Sequence, residues 1–353
     1  MCVREMASLT QLRTTMLATI IVTLVIFVGF LGAVSLLYSA ATDLSLSPEA
    51  TLLGSFVLAL IFMGIQFLIS PSIVAWSTRL HYLQPGEYPW LENTVKDLAS
   101  ASKVAMPKLA IVPNPTPNAF VFGNSSSKMT LAVHEGLLRQ LNEDEVRGVI
   151  AHEVGHIRHR DSIVMTFLSA IPLIAYMIAR STLFIGTGGR DRERSAGYLA
   201  LAGIAALVVY FVAQLLVLRL SRLREHFADV YSGYVTGSPR SLESALTKIA
   251  YGLSLRPEES HGVRALYISD PALAKSEVQA IMDKRAEYDL DHDGVLDERE
   301  LELAMGKEAK SMWRGVNEAF STHPPTYKRI LLLRQVEDEI QRGTNEGQIY
   351  RSI

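Results

Sequence analysis

The chain has 353 residues, enough for more than one domain, and 49% of them are hydrophobic. Charged residues make up 20% and the formal net charge is −2, which excludes the strongly basic surface of a nucleic-acid-binding protein. The single cysteine, Cys2, excludes an internal disulfide, so we expect packing and lipid to hold the fold together.

Two long uncharged runs near the N-terminus predict membrane-spanning helices. Residues 16–38 and 51–76 each exceed the roughly 20 residues needed to cross a bilayer core. A cleavable signal peptide is the alternative for the first run, given the small residues at 39–41. The first run is longer than the apolar part of a signal, and another span follows it, so we expect an uncleaved anchor after a short N-terminal segment, 1–15.

The stretch 83–161 predicts the first part of a soluble domain with a small sheet. Three strands are predicted at residues 109–112, 118–122 and 129–133, and the proline-rich segment 113–117 separates the first strand from the second. Such a sheet either offers an edge on which an extended peptide binds, or only stabilises the domain. The pattern leaves both alternatives open.

The next helix carries a motif that predicts a zinc site. His152 and His156 lie four residues apart on one helix face, so both reach one ion, and Glu153 beside them is placed to take a proton from water. Asn142 is a suitable N-cap for this helix. A fourth ligand at His159 would block the position that a catalytic zinc leaves open.

Two further apolar runs, 163–184 and 196–218, predict hydrophobic helices 3 and 4. They are either membrane spans or buried helices that line a cavity. As a pair of spans they return the chain to the same side, where 219–336 completes the domain. The zinc motif precedes a span instead of lying within one, which disfavours an intramembrane protease.

The second half of the predicted zinc site lies about 70 residues downstream of the first. A catalytic zinc needs three protein ligands. Glu225 is expected to supply the third, and Asp229, four residues later, to accept a hydrogen bond from a ligand imidazole. His226 competes as a ligand but points about 100° away from Glu225 around a helix. The remaining alternative is a solvated helix face with ordinary charges.

Loop charges predict the orientation. Arg4 and Arg13 precede the first span, while residues 40–50 contain no lysine or arginine, which places the N-terminus and the zinc site in the cytoplasm. Three arginines between helices 3 and 4 oppose this orientation, unless those helices do not cross fully: Arg190, Arg192 and Arg194. We expect a multi-pass protein of the cell membrane.

Residues 289–300, within 275–308, match a complete EF-hand loop and predict a calcium site as a second cofactor site. The expected ligands are Asp289, Asp291, Asp293, Val295, Asp297 and Glu300. A relic loop or an acidic turn without calcium is the alternative. Because the loop precedes residue 323, we also expect calcium to modulate the zinc site.

These motifs, in this order, resemble the HtpX-like membrane metalloproteases, a gluzincin family related to the CaaX prenyl proteases. The resemblance extends from the N-terminal spans to about Leu333, and the EF-hand-like loop departs from the family pattern. It implies zinc ligands at His152, His156 and Glu225, a general base at Glu153, and the aspartate of an ExxxD motif at Asp229.

The resemblance also implies residues that spacing alone does not predict. Asn118, Ala119 and Phe120 are similar to the substrate-facing edge of the family. His323, in the segment Thr-His-Pro-Pro-Thr, matches a histidine expected near the zinc, where it stabilises the tetrahedral intermediate or caps the resting metal. A histidine that merely precedes a helix start at Pro324 is the alternative.

The expected protein is thus a mainly α integral membrane protein with about four hydrophobic helices. It carries a zincin-like α+β domain with a small sheet, a single EF-hand insertion and a polar tail, 337–353. The expected function is a membrane-anchored zinc endopeptidase that removes misfolded membrane proteins in the lipid bilayer. The alternatives are a catalytically inactive calcium-binding membrane protein and a CaaX-type processing protease.

Overall fold

The computed structural model describes residues 9–41, 48–125, 127–185, 193–255, 267–292, 296, 298–308 and 320–343. The described chain is mainly helical, with one small sheet. Its elements in chain order are α1 (Leu9–Ala41), α2 (Pro48–Thr78), β1 (His81–Tyr82), α3 (Pro89–Ala101), β2 (Lys108–Val112), β3 (Ala119–Phe122), β4 (Thr130–His134), α4 (Glu135–Gln140), α5 (Glu143–His159), α6 (Asp161–Ile185), α7 (Glu193–Thr236), α8 (Pro239–Leu255), α9 (Pro271–Met282), α10 (Arg285–Tyr288), α11 (Glu298–Glu308) and α12 (Thr326–Arg342).

The chain forms two compact units. The mixed unit, which contains the sheet, takes the described residues of Met1–Arg13, Pro71–Ser162 and Ser221–Ile353. The helical unit takes those of Thr14–Ser70 and Ile163–Leu220. Both units are therefore assembled from segments distant in sequence.

The helical unit is held together by small and large apolar side chains from α1, α6 and α7. Phe30, Ile171, Ala206 and Ala213 belong to one buried cluster of this unit. Three segments among the described residues are long and apolar enough to cross a membrane: Thr14–Val34, Asp161–Thr182 and Ala200–Thr236. The expected span 51–76 falls within α2, where several side chains lie outside the described set.

The sheet of the mixed unit has the strand order β1-β2-β4-β3. β2 and β4 are parallel, while β1 pairs with β2 and β3 pairs with β4 in antiparallel fashion. The three strands expected from sequence are present, and the short strand β1 was not expected. β3 lies at an edge of the sheet and contacts α5, so the sheet edge is next to the helix of the zinc motif.

Helix α5 begins as predicted at Asn142. The Asn142 side chain accepts a hydrogen bond from the Glu145 N–H, and the Glu145 carboxylate accepts one from the Asn142 N–H, which forms a capping box. The helix ends at His159, and the next residue, Arg160, has a left-handed φ of 58°. That turn lets α6 start at Asp161, one residue later.

Two predicted boundaries differ from the structure. The fourth apolar run and the segment that carries Glu225 are one continuous helix, α7, of 44 residues. Helix α12 continues to Arg342, so the first residues of the expected polar tail are helical. The N-terminal residues 1–8 and the C-terminal residues 344–353 lie outside the described residues.

Candidate metal centre

Close helix packing brings the two halves of the zinc motif together. A Cβ at Gly155 of α5 would lie 3.1 Å from Tyr231 Cδ1 and 3.5 Å from Ala228 Cα, both on α7. The hydroxyl of Ser232 donates to the carbonyl of Gly148 at 2.7 Å. Glycine on α5 therefore allows α7 to approach beside the histidines.

Three donor atoms converge where these helices meet. His152 Nε2 and His156 Nε2 are 3.1 Å apart, and they lie 3.5 and 3.4 Å from Glu225 Oε2 and Oε1, respectively. Tetrahedral ligands about 2.0–2.1 Å from zinc are separated by about 3.3 Å. All three side chains are buried or nearly so, which suits a site that excludes bulk water.

The chemistry of this donor set fits zinc. Two imidazoles and one carboxylate leave the fourth tetrahedral position open. Glu225 Oε2 is buried and has no hydrogen-bond partner among the described residues, as expected of an oxygen reserved for a cation. When ionised, the buried charged groups around the donors sum to −2, which one divalent ion neutralises: Arg224, Arg329, Asp161, Glu153, Glu225 and Asp229.

Asp229 contacts the first histidine, and an unexpected arginine contacts Asp229. Asp229 Oδ1 lies 2.9 Å from His152 Nδ1. The fully buried Arg329 donates to both Asp229 oxygens, from Nε at 2.8 Å and from Nη2 at 2.6 Å, and also to the Ile268 carbonyl. Sequence analysis missed Arg329, although a signal exists. It shares a helix face with Leu333 and Val336, where a charge is out of place.

The second histidine has a similar arrangement, which sequence analysis also missed. His156 Nδ1 lies 2.7 Å from Asp161 Oδ2. The other Asp161 oxygen forms an ion pair with Arg224 Nη2. Asp161 and Arg224 are both buried, so the pair is largely shielded from water. Both imidazoles therefore present Nε2 to the donor cluster and Nδ1 to a carboxylate.

Glu153 is buried beside the donors, with 3% of its surface exposed. Burial raises the pKa of its carboxyl, while the neighbouring His156 and His152 act in the opposite direction. Burial lowers the pKa of His152, but the neighbouring carboxylates of Asp229 and Glu225 outweigh burial and raise it. A metal must therefore displace a proton that the neighbouring carboxylates stabilise on the His152 imidazole, and this makes metal binding pH-dependent.

His323, which the family resemblance implied as a residue near zinc, lies next to Glu225. Its side chain is buried, and Nε2 is 3.7 Å from Glu225 Oε1. The His323 N–H donates to Ser321 Oγ at 3.2 Å, and the Ser321 hydroxyl lies 2.9 Å from Asp270 Oδ2. Burial lowers the pKa of His323, which favours the neutral imidazole.

The expected substrate edge is at β3, but its side chains point into the protein. Asn118, Ala119 and Phe120 are each less than 5% exposed. Asn118 Oδ1 accepts a hydrogen bond from the Ile268 N–H, and its carbonyl accepts one from the His134 N–H. A substrate contact at this edge would therefore involve backbone groups of β3.

The two competing histidines are outside the donor cluster. The ring of His159 packs edge-on against Phe227 at 4.6 Å and Tyr231 at 5.5 Å. His226 is half-buried, and among the described residues the donor cluster contains Glu225 instead. The prediction that Glu225 is placed to be the third ligand agrees with this geometry.

Comparison with known proteins decides the family. The profile of peptidase family M48 matches residues 85–337, which is more than half of the chain. The chain belongs to peptidase family M48. It is 35% identical over 317 residues to a "Protease HtpX homolog" of Aeropyrum pernix, covering 89% of this chain and 95% of the relative.

A second relative matches this M48 member over a similar length, and one solved structure resembles it. A "Protease HtpX homolog 2" of Methanosarcina acetivorans is 37% identical over 314 residues, covering 88% of this chain and 92% of the relative. The crystal structure of S. mikatae Ste24p has a TM-score of 0.47 at 14% identity, covering 85% of this chain and 61% of that chain. The M48 member is thus a zinc metalloendopeptidase and a multi-pass membrane protein, and it acts on protein substrates.

The EF-hand-like loop is described only in part. Carboxylate oxygens of Asp289, Asp291 and Glu300 lie within 4.8 Å of one another. Glu300 Oε1 accepts hydrogen bonds from the N–H groups of Leu290 and, at 3.4 Å, Asp291. The other expected positions lie outside the described residues: Asp293, Val295 and Asp297.

Proposed function

We propose that this M48 peptidase cleaves membrane proteins by a mechanism in which Glu153 is the general base. The convergence of His152, His156 and Glu225 beside Glu153 is the observation that carries the proposal. The two histidines and Glu225 hold zinc, and Asp229 orients His152. When bound, zinc supplies Lewis acidity, which acidifies water and polarises the scissile carbonyl. Glu153 accepts the proton and returns it to the leaving amine.

His323 is proposed to stabilise the developing oxyanion. Its Nε2 faces the donor cluster, and Ser321 and Asp270 restrain the loop that presents it. Thr322 Oγ1 lies 2.9 Å from His323 Nδ1. If that hydroxyl donates, Nε2 carries the proton that an oxyanion donor needs.

The substrate is proposed to bind as an extended strand along β3. Among the described residues, β3 pairs with β4 alone, and it lies beside α5. Along the edge formed by Asn118, Ala119 and Phe120, the backbone groups of Asn118 and Phe120 face β4, so Ala119 would offer its N–H and C=O for pairing. Such backbone pairing fixes a peptide without selecting its side chains. Such tolerance suits quality control of misfolded membrane proteins, with removal of prenylated CaaX ends as the alternative substrate class.

Substitution of Glu153 tests the catalytic proposal. Glu153→Gln, purified in detergent, should retain one zinc per chain and lose cleavage of a model membrane protein. Asp144→Asn, on the solvent side of the same helix, is the matched control and should cleave normally. Normal cleavage by Glu153→Gln would refute the mechanism, and a zinc-loaded wild type that cleaves nothing would favour the inactive calcium-binding protein instead.

The active site is proposed to face the cytoplasm of the cell membrane. The charge distribution around the first span supports this orientation. The single cysteine, Cys2, provides a test in sealed vesicles with their native orientation. A membrane-impermeant maleimide should label Cys2 only after permeabilisation. Labelling of intact vesicles would reverse the proposed topology.

Calcium binding at the EF-hand-like loop is proposed as a second property, on the loop pattern and the cluster of Asp289, Asp291 and Glu300. Helix α11, which starts at Glu298, contacts α8 and α12, and α12 carries Arg329. Calcium at the loop would therefore restrain a helix that supports the zinc site.

Calorimetric titration tests the calcium proposal. Wild type should bind one calcium, and Glu300→Gln should lose most of the affinity because it removes the expected bidentate ligand. Absence of binding up to millimolar calcium would refute the proposed calcium site. Equal proteolytic rates with calcium and with a calcium-specific chelator would refute only the proposed effect of calcium on proteolysis.

The domain boundaries are likewise proposed: spans at 16–38 and 51–76, hydrophobic helices at 163–184 and 196–218, and a zincin-like peptidase domain assembled from 83–161 and 219–336. Limited proteolysis of the protein in detergent should cut first in the joining segments. Early cuts inside the two peptidase segments would contradict these boundaries.

A further inference from the structure

The second zinc histidine has its own buried partner. His156 Nδ1 is 2.7 Å from Asp161 Oδ2, within hydrogen-bond distance, and the two residues are five apart in sequence. One uninterrupted helix would not bring them together, since residues five apart lie on different faces. The left-handed residue Arg160 ends α5 between them and redirects the chain, so that Asp161 contacts the imidazole.

Arg224 restrains Asp161 from the other side. Its Nη2 pairs with Asp161 Oδ1, and both side chains are less than 10% exposed. Arg224 directly precedes Glu225, the third donor, on α7. The pair therefore connects the end of α5 to the turn of α7 that carries Glu225.

The first histidine provides a comparison within the same site. His152 contacts Asp229, and Asp229 contacts Arg329, with the same residue types in the same order. Asp229 matches a family motif, whereas Asp161 and Arg224 were not among the residues expected from sequence. The repeated order of imidazole, carboxylate and guanidinium indicates a positioning role at both histidines.

We propose that Asp161 and Arg224 are positioning residues that hold the His156 imidazole with Nε2 directed at zinc. Asp161 accepts the Nδ1–H, which leaves the Nε2 lone pair for the metal. Arg224 holds the Asp161 carboxylate in place. The inference deepens the proposed function, because it rests on zinc occupying the donor cluster, but it does not depend on cleavage.

Zinc affinity tests the proposal without substrate. The full chain in detergent is titrated with zinc against a chromophoric chelator, and its cobalt form is recorded by visible absorption. Asp161→Ala should raise the zinc Kd about 10–100-fold and weaken the tetrahedral cobalt bands. Asp161→Asn, which keeps an acceptor, should have a smaller effect. Glu337→Ala is the matched control, since it removes a carboxylate paired with Arg240.

A double variant separates positioning from general stability. Asp161→Ala leaves Arg224 buried without its carboxylate, which destabilises the fold. Asp161→Ala with Arg224→Ala removes both charges, so the apo protein should recover thermal stability while the zinc Kd stays raised. The proposal would be overturned by a zinc Kd within twofold of wild type in the folded double variant. The same Kd in both single variants, Asp161→Asn and Asp161→Ala, would also overturn it.

The same measurements keep this inference distinct from the proposed function. Loss of cleavage in Glu153→Gln with unchanged zinc affinity would support Glu153 as the general base and would not bear on Asp161. If no variant and no wild type binds zinc, the zinc site and this inference fail together. If zinc binds and the Asp161 variants weaken it, the inference stands even where cleavage is not found.

Discussion

The arginine behind Asp229 offers a quantitative test of the zinc site. Arg329 is completely buried and donates to both oxygens of Asp229, at 2.8 and 2.6 Å. Replacing Arg329 by Met retains most of the volume but leaves the Asp229 carboxylate buried without its cation. Removing one partner of a buried ion pair costs about 3–5 kcal/mol of unfolding free energy.

This cost converts into a measurable change in melting temperature. In a domain of roughly 150–250 residues, 1 kcal/mol shifts Tm by about 2–4 °C. We therefore expect apo Arg329→Met to melt about 10 °C below apo wild type, followed by circular dichroism in detergent with a chelator. Zinc should also bind about 10–100-fold more weakly, because Asp229 no longer orients His152.

Two further variants test the reasoning for Arg329. Arg240→Met breaks an exposed pair with Glu337 and should change the unfolding free energy by less than about 1 kcal/mol. Asp229→Asn combined with Arg329→Met removes both charges and should recover part of the lost stability. The reasoning would be refuted if apo Arg329→Met melted within about 2 °C of wild type.

Three other substitutions have defined outcomes. Burial raises the pKa of Glu277 to about 7 from 4.5, so its stabilisation is fully present below about pH 4.5 and lost as the pH rises through about 7. Glu277→Gln keeps an acceptor for the Thr326 N–H, so its Tm should rise relative to that of wild type as the pH increases from 5 to 8. A Tm difference that stays constant over this pH range would contradict the prediction. Asn142→Ala should lose about 1 kcal/mol in chemical unfolding because it removes the α5 cap, whereas Asn142→Ser should retain most of it. Gly136→Ala should lose about 1–3 kcal/mol, since its Cβ would lie 2.0 Å from the Pro115 carbonyl oxygen, while Gly64→Ala, with nothing within 4 Å, should be close to wild type in the same assay.

Local sequence signals predicted the elements well where they were strong. The cap at Asn142 and the long apolar helices depend on contacts between near neighbours, and the three strands are short apolar runs bounded by turn residues, so all of these patterns are visible in short windows. The i, i+4 spacing of His152 and His156 likewise follows from helix geometry. The continuity of α7 was missed, because its arginines after residue 218 resemble the end of a span.

The sequence by itself determined the zinc chemistry of this protein, since the residue types and their spacing on α5 and α7 define the donors. Only the tertiary structure decided which buried groups support those donors. Arg329 lies 177 residues from His152, and Arg224 lies 63 residues from Asp161, so no local pattern connects them. Their contacts arise because burying carboxylates beside a metal requires compensating cations, and the fold supplies each cation from whichever helix packs there.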